Sequence, residues 1–489
     1  MNRSQPKGLS LLFFTELWER FGFYMVQTIL ILYITTGLKY PDGQAYLIYG
    51  AFSSMLYLTP VIGGYLADKY LGFRQSIVLG AVLFFVGYSI MAIPHPQALF
   101  LGLSIVTVGN GFFKPNVSSI VGDLYGPNDP RRDGGFTIFY MGINMGSLLP
   151  PLFAGALVAA YNWGSGFIVA AVGMLVSMAT FIAGRHQLKN LGKMPATSPL
   201  AQGKKGRFYS FLGLGVILVI AFLHFLLQFP KETDLILVVA SLAIVGTVLF
   251  FLYKENKEQQ RKLWACLILI LISIGFWALY NQTFTSLMLF ADRNMSKNFL
   301  GFTIDAEFTQ FFNPFFIIVL SPVLSWLWIR LDEKKLNPST PLKFSFGVLF
   351  MALGFLFLWM GTHFFSGSSP DSSPWWLVFS YLLQTVGELL LSPIGLAMIT
   401  RLSPHHLVGM MMGVWFLTQS AAFAIGGGLA TLSNVPQDVV GHASLEIYSH
   451  AFLIYGLISL ILAIFSLALV PYLKRLIGLP SGPVGAPKR

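Results

Sequence analysis

Long apolar runs separated by short polar segments recur along the whole 489-residue chain. They are too long and too continuous for the alternation of a half-buried strand or the narrow apolar stripe of a surface helix. Read as helices, they predict fourteen spans, at 12–38, 45–68, 74–95, 98–122, 134–160, 163–184, 208–229, 234–253, 261–290, 308–330, 342–365, 374–400, 407–431 and 447–475. Each is at or near the roughly 20 residues needed to cross a bilayer, and the longer ones imply tilt or kinks. An even number returns both termini to one side of the membrane. The longest internal polar stretch, 186–207, carries Gly, Pro, Ser and several basic residues. The pattern therefore predicts an all-α integral membrane protein in four parts: a six-helix bundle over 1–185, a linker over 186–207, an inserted two-helix hairpin over 208–253, and a second six-helix bundle over 254–489. Six plus six suits alternating access around a central site.

Charge tests that count. If the N-terminus is cytoplasmic, 25 of the 31 basic residues fall on inner loops and tails, which is the asymmetry a correct helix count produces. The outer segments hold only Lys39, Lys231, Arg293 and Lys297, leaving Arg20 and Lys114 within the spans. The net charge of +11 then faces anionic inner-leaflet lipids, and no nucleic-acid partner is needed to explain it. The first span begins close to the N-terminus and carries charged residues, unlike the core of a cleaved secretory signal. One cysteine allows no internal disulfide, and His224 and the His405/His406 pair have no metal-ligand spacing, so no metal or cofactor is expected. No nucleophile, base and orienting partner form a constellation that would suggest an enzyme.

The informative residues are the polar ones inside the spans. Ionised groups in a bilayer are costly unless they pair or line an aqueous cavity. In the first span Glu16, Glu19, Arg20, Tyr24 and Gln27 recur at helical spacing and form one polar stripe. Such a stripe serves transport, or it simply locks two helices together; both readings stand at this point. In the fourth span Lys114 sits within GNGFFKPN (109–116), where the glycines permit close helix approach and Pro115 favours a bend. Asn144 lies in the fifth span beside a small-residue face made by Gly142 and Gly146. Asn281 and Asn313 supply uncharged hydrogen-bonding groups in two later spans, and Glu388 lies deep within the twelfth, one turn before Ser392. Glu16, Glu19 and Glu388 outnumber Arg20 and Lys114 by one, so protonation of one carboxylate would neutralise the interior and couple a proton to binding.

Those motifs resemble the proton-dependent oligopeptide transporter family of the major facilitator superfamily. ELWERFGFY (16–24) is similar to its first-helix signature, and GNGFFKPN (109–116), FYMGINMGSL (139–148) and GELLLSPIGL (387–396) match three more. GYLADKYLGFR (64–74) is similar to the superfamily's loop between helices two and three. The resemblance implies a bacterial inner-membrane symporter of the major facilitator fold, importing dipeptides and tripeptides with protons and functioning as a monomer among membrane lipids. It implies proton-coupled gating by Glu16, Glu19 and Arg20, proton coupling and recognition of the peptide carboxylate by Lys114, and a place for Glu388 near the peptide amino group. Tyr24, Tyr57, Asn144, Asn313, Ser392 and Trp415 would line the cavity.

Four positions depart from the family pattern. Phe23 replaces a frequent tyrosine, Gln27 stands where a carboxylate-binding arginine is common, and Asn281 stands where an acidic residue is often linked to proton coupling. Gly50 occupies the second-helix position where animal relatives carry histidine. Gln27 can still donate to a carboxylate, without the bidentate strength of arginine, which throws more of the electrostatic recognition onto Lys114. Within transport, the rival cargo is another small charged or amphipathic solute such as nitrate, an amino acid or a drug. Outside it, the rival is a membrane receptor or structural protein that binds without translocation.

Overall fold

With no water in the hydrocarbon to satisfy backbone N–H and C=O groups, a chain this apolar has to close its hydrogen bonds within helices. The computed structural model describes residues 4–126, 129, 131–195, 198, 205–366, 371–404 and 408–478. Its principal elements are sixteen α-helices: α1 (Lys7–Leu32), α2 (Asp42–Leu66), α3 (Phe73–Met91), α4 (Pro96–Asp123), α5 (Arg132–Leu148), α6 (Ala154–Ala160), α7 (Trp163–Gly184), α8 (Lys205–Gln228), α9 (Pro230–Leu252), α10 (Lys257–Tyr280), α11 (Ser286–Asn294), α12 (Phe312–Glu333), α13 (Thr340–Phe364), α14 (Pro374–Leu402), α15 (Val408–Ala430) and α16 (His442–Ile477). Twelve helical stretches among the described residues are long and apolar enough to cross a membrane. The helix with the charged stripe, α1, is not one of the twelve, nor is α9. The protein is all-α; its only strands among the described residues are two residues each, β1 (Asn298–Phe299) paired with β2 (Phe302–Thr303).

Two predicted spans are broken. The fifth divides at Pro150–Leu152 into α5 and α6, because consecutive prolines Pro150 and Pro151 remove two backbone donors. The ninth divides at Asn281–Phe284 into α10 and α11, and Thr285 leaves the helical region with φ −124° and ψ −95°. By contrast Pro115 sits inside the unbroken α4, and Pro314 falls in the first turn of α12, where its missing N–H costs least. The termini follow local chemistry: the Asn162 side chain accepts from Ser165 N–H at 3.1 Å, and that of Asn256 from Gln259 N–H at 2.9 Å.

The helices gather into two units, one of Met1–Tyr40 with Ala51–Thr233, the other of Pro41–Gly50 with Asp234–Arg489. In the first, α3 packs on α4 and α7, and α1 packs on α5 and α7. A Cβ built on Gly142 would lie 3.1 Å from the Phe13 carbonyl oxygen, so α5 meets the backbone of α1 through the small-residue face read from the sequence. Polar side chains stitch helices to backbone across these seams: Ser177 Oγ to the Thr15 carbonyl at 2.6 Å, and Asn110 Nδ2 to the Leu56 carbonyl at 2.8 Å. In the second unit α13 packs on α14 and α16, and α10 on α15 and α16, with Ser345 and Ser466 hydroxyls 2.6 Å apart.

Candidate functional site

In the first unit Glu16, Glu19 and Arg20 on α1 are at most 3% exposed, so the three charged groups are enclosed by protein. The Arg20 guanidinium donates from Nε and from a terminal nitrogen to the two oxygens of Glu19. Its Nε lies 3.6 Å from Glu16 Oε1, whereas Glu16 Oε2 is buried without a hydrogen-bond partner. Planar delocalised charge explains the next contact: the guanidinium carbon lies 4.5 Å from the centre of the Phe23 ring. A phenylalanine at 23 thus gives up a hydroxyl but keeps an aromatic face for Arg20.

Lys114, carried by α4, is half-buried, and its Nζ lies 5.1 Å from the centre of the Tyr57 ring on α2. Among the described residues no carboxylate lies within ion-pair distance of it, although Glu16, Glu19 and Arg20 all act on it electrostatically at longer range. Close helix approach accounts for its position. A Cβ on Gly111 would be 2.8 Å from the Thr59 carbonyl oxygen, and one on Gly109 would be 3.0 Å from that of Gly80.

The remaining candidates of this unit divide. Tyr24 and Gln27 are half-buried on α1, and Gln27 Oε1 is buried with no partner, an amide oxygen still free to accept. Asn144 is 6% exposed and donates back to the Tyr140 carbonyl of its own helix at 3.0 Å. An apolar cavity of about 330 Å³ between α2, α4 and α8, bordered by Ile62, Phe112, Phe211 and Val219, carries none of the charged candidates.

In the second unit Glu388 is 9% exposed on α14 and is held by neutral groups. Asn313 Nδ2, on α12, donates to Glu388 Oε2 at 2.8 Å and lies 3.1 Å from the Thr385 hydroxyl; the Tyr280 hydroxyl is a further hydrogen-bond partner of the carboxylate. Among the described residues Glu388 has no cation within ion-pair distance. Ser392 is half-buried one turn on, and the Trp415 ring fills the space that a side chain at Gly395 would need.

Asn281 lies at the break between α10 and α11, fully buried, with neither amide atom hydrogen-bonded; a Cβ on Gly426 of α15 would be 2.8 Å from its Nδ2. Next to it a side-chain network holds the broken segment: Gln282 Nε2 donates to the Gly426 carbonyl at 2.9 Å, and Gln310 Nε2 to the Thr283 carbonyl at 2.6 Å and the Tyr381 hydroxyl at 3.1 Å.

Sequence reasoning passes over several partners. Thr385 stands one turn before Glu388 on the same helix face, a spacing that marks it in retrospect. Tyr280 precedes Asn281 and reads as one aromatic among many. Asp42 and Arg293, which the sequence places in outer segments as unrelated charges, form a bidentate pair at 2.5 and 2.7 Å, with the Tyr448 hydroxyl 3.3 Å from the guanidinium. His405 and His406 lie outside the described residues.

The chain matches the model of the POT family over residues 74–447. It is 38% identical over 483 residues to a dipeptide and tripeptide permease B of Salmonella typhimurium, covering 97% of each protein. Among solved structures it is similar to a peptide transporter POT in complex with sulfate, at 34% identity and a TM-score of 0.84 over 97% of this chain and 96% of that one. It is also similar to tetrameric PepTSo2, at 31% identity and a TM-score of 0.84 over 96% and 99%. The chain belongs to the POT family of peptide transporters, multi-pass inner-membrane proteins of the major facilitator fold.

Proposed function

We propose that this chain is a proton-coupled symporter that imports dipeptides and tripeptides by alternating access, with Lys114 taking the peptide carboxylate and Glu388 the peptide ammonium. One observation carries the reading: each unit holds a charged side chain, Lys114 in one and Glu388 in the other, that has no ion-pair partner among the described residues. A zwitterionic peptide backbone supplies both missing charges at once. That chemistry reads the termini that all short peptides share and leaves the side chains to a permissive wall of Tyr24, Tyr57, Asn144, Ser392 and Trp415. Gln27, with its free amide oxygen, is suited to the peptide's own N–H groups, and Asn281 and Asn313 orient the segment and carboxylate beside them. The permease named for dipeptides and tripeptides supports the cargo class.

Glu16 is the proton acceptor in this reading. One Arg20 serves two carboxylates, and Glu16 is the one with an unpartnered oxygen, so a proton there restores neutrality while Glu19 keeps the guanidinium. Glu19 and Arg20 then gate by exchanging that pairing, and only an unequal effect on the two access states drives the cycle. The working unit is one chain with both termini in the cytoplasm. It is divided as a bundle over 1–185, a linker over 186–207, a hairpin over 208–253 and a bundle over 254–489.

Uptake into proteoliposomes under an imposed pH gradient tests the assignment. Lys114→Ala and Glu388→Gln should each cut dipeptide uptake at least tenfold. An N-acetylated peptide should be indifferent to Glu388→Gln, and a peptide amide to Lys114→Ala. Near-normal coupled uptake of the free dipeptide by both variants rejects the assignment.

A further inference from the structure

Within the second unit a cavity of about 290 Å³ opens among α12, α13 and α14, bordered by Trp328, Thr340, Lys343, Leu389, Ile394 and Met398. Its wall is apolar except at one end. There the Lys343 ammonium lies 4.1 Å from the centre of the Trp328 ring, and no carboxylate among the described residues reaches ion-pair distance. Asp332 acts on Lys343 from further away, and that carboxylate is engaged by the Asn337 amide at 3.3 Å. Thr340, one turn before Lys343 at the start of α13, also borders the cavity. Lys343 is the one charged residue among the described residues bordering the cavity, and the rest of the border is mainly apolar.

A free anion would satisfy the ammonium and leave the apolar floor unfilled. A neutral lipid would fill the floor and leave the ammonium without a counter-charge. Both demands are met by a negative group joined to an acyl chain. A methylene occupies about the space of a liquid water molecule, about 30 Å³, so the cavity holds on the order of ten of them. We propose that this cavity seats an anionic phospholipid, with its phosphate on Lys343 and Thr340 and the upper part of one acyl chain along Leu389, Ile394 and Met398. The seat includes Pro393, on the helix that carries Glu388 and Ser392, so an occupant bears directly on α14. The inference rests on the membrane-spanning class of the chain and is independent of the peptide assignment.

Trp328 provides the readout. The full-length protein is reconstituted in phosphatidylcholine nanodiscs, and phosphatidylglycerol with brominated acyl chains is titrated in; the part of the tryptophan quenching absent from Trp328→Phe reports occupancy. Brominated phosphatidylglycerol should quench Trp328 at about a fivefold lower mole fraction than brominated phosphatidylcholine, the preference expected for one basic side chain facing an anionic lipid. Lys343→Gln should erase that preference and Lys343→Arg keep it. Ile394→Phe, which fills the floor, should reduce quenching by both lipids. Equal quenching by the two lipids in the native protein, or a preference that survives Lys343→Gln, overturns the proposal. So does binding of inorganic phosphate to the delipidated protein that is lost in Lys343→Gln, because that outcome assigns a free-anion site.

Discussion

Two buried carboxylate sites, one taken from each unit, solve the same electrostatic problem differently. On α1, Glu19 is held by a guanidinium in a bidentate ion pair, with Glu16 sharing the same cation at 3.6 Å. On α14, Glu388 is held by the Asn313 amide and the Tyr280 hydroxyl. An ion pair is electrostatically self-sufficient, and breaking it strands a charge. Neutral donors orient a carboxylate without cancelling its charge, so Glu388 keeps its demand for a cation. In the proposed cycle the first arrangement would act as a switch that re-pairs and the second as a socket for the peptide ammonium.

Removing the cation is the harshest way to break this contrast. Arg20→Ala leaves two buried carboxylates without their ion-pair partner, and breaking a buried pair costs about 3–5 kcal/mol. Thermal unfolding in detergent should fall steeply, and Arg20→Ala combined with Glu19→Gln should recover part of the loss. A double variant no more stable than the single one would show that Arg20 acts through packing.

At the other site Asn313→Ala removes one neutral donor, for which about 1–3 kcal/mol is expected. The loss should appear mainly as weaker dipeptide binding by calorimetry, since Glu388 loses its orientation and keeps its charge. A fall in melting temperature as large as that of Arg20→Ala would erase the distinction. Phe23→Leu comes next: it removes the aromatic face under Arg20, worth about 0.5–2 kcal/mol, and Phe23→Tyr should preserve stability.

The smallest effect belongs outside the membrane. Between α4 and α5, Arg131 donates to Asp129 at 2.7 Å and holds that carboxyl down to about 2. A depressed acid stabilises the folded state above its unfolded pKa of about 3.9 and loses that contribution as pH falls towards 2. Asp129→Asn should therefore leave dipeptide uptake unchanged near neutrality and flatten the melting temperature's dependence on pH below about 4. A pH response confined to the range above 5 would assign it to other groups.

The helices and the charged positions were legible because lipid imposes a simple code: a long apolar run spans, and a charge inside it must be accounted for. Lys114 and Glu388 stood out as interruptions of that code. What was illegible is who meets whom. Nothing in the spacing joins Asp42 to Arg293, 251 positions away, or Asn313 to Glu388, 75 away. The break at Asn281–Phe284 was hidden for another reason. NQTF lacks proline and glycine; Gln310 satisfies the Thr283 carbonyl there, and Gln282 ties the segment to the Gly426 carbonyl of α15. Propensity gave way to packing, as it does where a helix has neighbours able to hold it open.

Gly50 limits how this transporter can be redesigned. A Cβ there would lie 2.9 Å from the α-carbon of Gly427 and 3.1 Å from the Phe423 carbonyl oxygen, so the two backbones touch with no residue left to shrink. A histidine placed at position 50 would wedge the start of α2 off α15, and an engineer seeking a titratable ring there would first have to rebuild the GGG run at 426–428.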